Sequence, residues 1–97
     1  MEVNGYRVYY IEPQLSTDGL LALVRNSTAD MLALVVPEDQ FLFIENYNLF
    51  LLKKFLDRTE KKVVFVCDNE DILKKLAKSG FKVFSDLNKL ASDSFYK

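Results

Sequence analysis

Met31-Leu32-Ala33-Leu34-Val35-Val36 runs apolar without a break and is stopped by Pro37. A strand with one wet face alternates apolar and polar residues. Six apolar residues in a row leave no side for water, so this segment reads as a central strand of a parallel sheet, buried on both faces. Residues 62–67 (KVVFVC) have the same character and end at Asp68. Upstream, residues 6–11 (YRVYYI) are rich in β-branched and aromatic side chains and end at Glu12-Pro13, which predicts another strand. Residues 81–84 make a short fourth one.

Helical patterns separate these strands. Ser16 or Thr17 is placed to cap a helix, with Asp18 in its first turn, Leu20, Leu21 and Val24 on one face and Asn26 at its end. Asn48 is placed to cap a second, whose stripe is Leu49, Leu52, Phe55 and Leu56, with Lys53, Lys54, Asp57 and Arg58 outside it. Asn69 precedes a third, with Ile72, Leu73, Leu76 and Ala77 facing inward and Lys74, Lys75 and Lys78 facing water. Gly80 is positioned for a left-handed cap at its end. Residues 86–92 suggest a brief terminal helix. The order βαβαβαβα predicts a single α/β domain over residues 1–97. Three layers are expected: a four-stranded parallel sheet with helices on both faces, a flavodoxin-like or Rossmann-like half with strand order 2-1-3-4.

Composition removes several functions. Thirteen Lys and Arg against fourteen Asp and Glu leave a net charge of −1, which argues against a nucleic-acid partner held by bulk electrostatics. Histidine is absent, so a histidine base or triad and histidine-ligated metal are ruled out. A single cysteine, Cys67, cannot form an internal disulfide, and it reads as a buried structural residue. The glycines, Gly5, Gly19 and Gly80, do not form a phosphate-cradling loop. No cofactor or metal is expected. Apolar runs stay far short of the about 20 residues of a membrane span. A soluble, cytoplasmic chain is therefore the default, with the reservation that the domain could belong to a longer, anchored protein.

Parallel strands place their carboxyl ends on one edge, where ligands of α/β sheets usually bind. That edge gathers Glu12, Asn48, Asp68 and Glu70 as candidates. Glu12 and Asp68 would be neighbours if their strands paired, an arrangement that faintly resembles the toprim domain with its Mg²⁺-binding acids. No glycine follows Glu12, however, and Glu70 stands where toprim has a second Asp. Acids at helix starts and bases at helix ends are also what helix dipoles favour. A second feature is aromatic: Phe41, Phe43, Tyr47 and Phe50 fall within ten residues, more rings than a small core easily hides, and they suggest an interaction patch.

Val35-Val36-Pro37, Asn48-Leu49 with Leu51-Leu52-Lys53, Val64-Phe65-Val66 with Asp68, Leu76-Ala77, Gly80 and Val83-Phe84 form a series of landmarks over residues 31–84. The series resembles a small α/β module of uncharacterised bacterial proteins, some labelled baseplate-J-like, where it tends to precede a longer, often membrane-associated region. The resemblance implies a non-enzymatic accessory domain and brings no catalytic residue with it. The function expected is thus a non-catalytic protein-interaction or oligomerisation module, with a protein partner or a second copy of the chain (a homo-oligomer) on its surface. The alternatives are a small-ligand-binding regulatory domain and, behind it, a toprim-like Mg²⁺-dependent enzyme.

Overall fold

The computed structural model of the chain describes residues 1–37 and 49–93. Its elements are β1 (Glu2–Val3), β2 (Tyr6–Tyr10), α1 (Thr17–Asn26), β3 (Met31–Val35), α2 (Leu49–Asp57), β4 (Lys62–Val66), α3 (Glu70–Lys78), β5 (Lys82–Phe84) and α4 (Leu87–Ser92). One sheet joins the strands in the order β1-β2-β3-β4-β5. β2 to β5 are parallel, with Leu32 paired to Arg7 and Val63, and Leu34 to Tyr9 and Phe65. β1 is antiparallel to β2.

The α/β class and the parallel pairing of the long strands agree with the sequence, but the four-stranded sheet and the 2-1-3-4 order do not. The fifth strand comes from Asn4-Gly5. Both residues have positive φ, 53° and 86°, the conformation of a two-residue hairpin turn that folds Glu2–Val3 back on β2. The strand order differs because the chain advances one strand at a time and never doubles back across the sheet.

This order also decides the layers. Crossovers of one hand between successive neighbours put every connecting helix on the same side. Leu20, Leu21 and Val24 of α1, Leu49, Leu52 and Leu56 of α2, and Ile72 and Leu76 of α3 all pack in one core with Leu32, Leu34 and Phe65. On the other face, Tyr6, Val8, Ala33, Val64 and Val66 meet Leu90 of α4, the one helix that covers them among the described residues. Among the described residues the expected three layers are therefore lopsided, with three helices on one side and six-residue α4 on the other.

Local chemistry sets the helix ends. Ser16 Oγ accepts from the Gly19 N–H at 3.1 Å. Asn69 Oδ1 accepts from Asp71 and Ile72 N–H at 3.0 and 3.2 Å. Asp86 Oδ1 accepts from the Lys89 N–H at 2.8 Å. α3 closes on Gly80 at φ 96°, with Gly80 N–H on Ala77 O and Phe81 N–H on Leu76 O, both 3.1 Å, the paired bonds of a Schellman end. That turn delivers Phe81 edge-on to Phe65, with ring centroids 4.9 Å apart. α4 is held at its end by Asn4, whose Nδ2 donates to Leu90 O at 3.0 Å and Asp93 O at 2.7 Å.

Asn69 satisfies two otherwise orphaned N–H groups, so Asn69→Ala is expected to cost about 1 kcal/mol. In a domain of this size that lowers Tm by about 4–8 °C. Asn69→Ser should restore most of it in a thermal melt.

Candidate functional site

Among the described residues the carboxyl edge does not bring Glu12 and Asp68 together. Glu12, Asp68 and Glu70 have exposed side chains. β3 lies between the strands that carry Glu12 and Asp68, so their loops start about 10 Å apart, whereas one Mg²⁺ draws its ligands to about 2.1 Å. Among the described residues, no three Asp, Glu or Cys side chains are grouped as metal ligands. The crevice typical of open α/β sheets forms where the strand order reverses, and this order never does. The acids have local work: Asp18, Glu70 and Asp71 occupy first helical turns and Asp86 is a cap. Cys67 is buried, with Sγ accepting from the Asn69 N–H at 3.4 Å. Asn48 lies outside the described residues.

Of the aromatic patch, Phe41, Phe43 and Tyr47 also lie outside them. Phe50 is within them, and it faces water: it is 65% exposed, beside Leu51 at 46%, while Leu49, Leu52 and Leu56 of the same helix are buried. Two adjacent large apolar side chains on the outer face of α2 are unlike the single exposed residues any surface carries.

The opposite, amino edge holds what the residue pattern only hinted at. Glu60 turns the chain with φ 61° just before β4 and sets Lys61 against the end of α1. The Lys61 ammonium donates to Val24 O at 2.6 Å, Arg25 O at 3.3 Å and Ser27 O, capping that helix from outside. Two clefts share Lys61. One, of about 330 Å³, lies between the ends of α1 and α2 and is lined by Arg25, Phe55, Arg58, Thr59 and Lys61. The other, about 290 Å³, is bordered by Lys53, Lys62, Gly80, Phe81 and Lys82. In the second cleft Lys53 is paired with Asp57 at 2.8 Å and Lys82 with Asp93 at 3.0 Å. In the first, neither Arg25 nor Arg58 has an ion-pair partner among the described residues. Arg58 lies over the Phe55 ring at 5.9 Å.

Nearby, the Tyr9 hydroxyl is 2.7 Å from Ser27 Oγ. That hydrogen bond, together with the charges of Arg7 and Lys61, holds the Tyr9 phenol below its ordinary value of 10.0 despite an opposing effect of burial. Arg7 is itself anchored on Thr28 Oγ1 at 3.0 Å. The sequence signal for this edge was the gathering of bases late in helices and in the turns after them. It could not show which of those bases are already occupied by backbone carbonyls.

No family model, curated protein or solved structure matches the chain. Among the described residues no helix is long and apolar enough to cross a membrane.

Two outcomes follow from the amino edge. Lys61→Met leaves partly buried carbonyls of α1 without their donor and is expected to cost about 1–3 kcal/mol by chemical denaturation, whereas Lys74→Met on the exposed face of α3 should be near neutral. Tyr9 loses its proton earlier when folded than when unfolded, so its contribution to stability rises with pH between its lowered pKa and 10.0. Near-ultraviolet titration should show phenolate absorbance beginning below the ordinary tyrosine range, and Tyr9→Phe should remove that early component.

Proposed function

We propose that this chain is a non-catalytic interaction module that self-associates through the outer face of α2. The observation that supports the reading is the exposed pair Phe50 and Leu51, on a helix whose opposite stripe is fully engaged in the core. The aromatic residues Phe41, Phe43 and Tyr47 precede this helix directly in the chain. Burying apolar surface of this kind is the main favourable term in association, and an aromatic side chain contributes about 150–250 Å².

A second copy is the occupant that suits the patch best. In a two-fold contact the same patch is used twice, so Phe50 and Leu51 of one copy cover those of the other. Lys54 and Asp57 on the same helix offer charges of both signs to a copy of themselves. A net charge of −1 keeps long-range repulsion between copies small. The absence of histidine from the sequence favours a binding role over acid–base chemistry. The resemblance to accessory α/β modules over residues 31–84 points the same way.

Light scattering and sedimentation should show a dimer forming as concentration rises toward about 1 mM, where a contact of about −4 kcal/mol is half populated. Phe50→Glu with Leu51→Glu should return the chain to a monomer with its circular dichroism unchanged. A wild-type chain that stays monomeric overturns the reading. So does a dimer that the double variant leaves intact.

A further inference from the structure

The cleft between the ends of α1 and α2 brings together two guanidinium groups and an ammonium beside an aromatic ring. Arg25 comes from the last turn of α1, Arg58 follows α2, and Phe55, Thr59 and Lys61 complete the lining. Bases at helix ends ordinarily serve the dipole. Here other donors already serve the final carbonyls: Lys61 Nζ on Val24 and Ser27, Thr59 Oγ1 on Leu56 at 2.6 Å, and the Glu60 N–H on Asp57 at 3.2 Å. Each helix end carries about half a negative charge, against three formal positive charges on the cleft, so a surplus of about two remains. The nearest carboxylate on α2, Asp57, is taken by Lys53, and Glu60, though in the same turn, does not line the space.

The lining also suggests the shape of what it would hold. The Arg58 guanidinium carbon sits 5.9 Å from the Phe55 ring centroid, at the outer reach of a cation–π contact, and its N–H fork borders the cleft. A second fork, Arg25, enters from a different helix. A carboxylate can also bridge two forks, but a phosphoryl group brings a third acceptor oxygen and close to twice the negative charge, which suits the three cations Arg25, Arg58 and Lys61 better. At about 330 Å³ the cleft lies at the small end of ligand pockets, about 300–1,000 Å³, which suits a small molecule. We propose that Arg25, Arg58 and the Phe55 ring form a binding site for a small phosphoryl-bearing molecule. The proposal names a ligand class for the ligand-binding alternative and is independent of self-association through Phe50 and Leu51.

Calorimetric titration of the full chain with inorganic phosphate and with pyrophosphate, at matched ionic strength, tests it. Saturable binding of either supports the site, and the tighter of the two distinguishes a free phosphate from a substituted phosphoryl group. Arg25→Gln and Arg58→Gln, both at exposed positions, should each weaken binding by about tenfold with unchanged circular dichroism. Lys74→Gln, on the wet face of α3, should leave it unchanged. Retention of affinity in the Phe50→Glu, Leu51→Glu chain supports a site within one copy. No saturable binding, equal weakening by Lys74→Gln, or loss of affinity in the Phe50→Glu, Leu51→Glu chain overturns the proposal.

Discussion

β3 is hydrogen-bonded on both sides, to β2 and to β4, and each of those strands is also its neighbour along the chain. From that pairing the layout of the domain follows. Crossovers of a single hand between sequential parallel strands must lie on one side, so α1, α2 and α3 share the core built on Leu32, Leu34 and Phe65. Among the described residues the reverse face is left to α4, which reaches both β1 and β5. The same advance removes the reversal of strand order at which α/β sheets usually open a ligand crevice. Among the described residues the carboxyl edge is therefore an edge of helix starts and caps, and the two clefts that share Lys61 open at the opposite side.

Charge is sorted along this axis. Asp18, Glu70, Asp71 and Asp86 stand at helix beginnings, while Arg25, Lys54, Lys75, Lys78 and Lys89 fall in last turns. Most of this sorting is accounted for by dipoles. Lys61 goes further, since it belongs to a different part of the chain from the helix it caps. By taking the carbonyls of α1 it leaves Arg25 without that task, and Thr59 does the same for Arg58 at the end of α2. The surplus at the amino edge thus comes from a division of labour between side chains that lie next to each other in space.

Much of the fold was legible because single segments carry it. Continuous apolar runs mark β3 and β4, and short polar residues before Leu20, Ile72 and Leu90 mark the caps at Ser16, Asn69 and Asp86. Gly80 takes the left-handed conformation its position implies. Strand order was not legible, because each strand is buried well enough in several permutations and only packing between helices selects one. β1 was missed although Asn4-Gly5 is a strong hairpin signal, since two residues of Glu2–Val3 show no periodicity. The site was less legible than the fold. Expecting Glu12 beside Asp68 required β2 to pair with β4. The role of Lys61 depends on a contact spanning 37 residues, to Val24, which no local pattern contains.

The clasp between Asn4 and the end of α4 joins positions 86 and 89 residues apart. Arg7 and Leu32, by comparison, pair across only 25. Closing the longer loop costs about 1 kcal/mol more in chain entropy, with little burial to offset it until the sheet exists. The βαβ units can therefore assemble by short-range steps, while the C-terminal segment waits for the N-terminal hairpin. Val64, Val66 and Ala33 share their cluster with Leu90, so this face of the sheet is the part of the core whose completion rests on the longest-range contact.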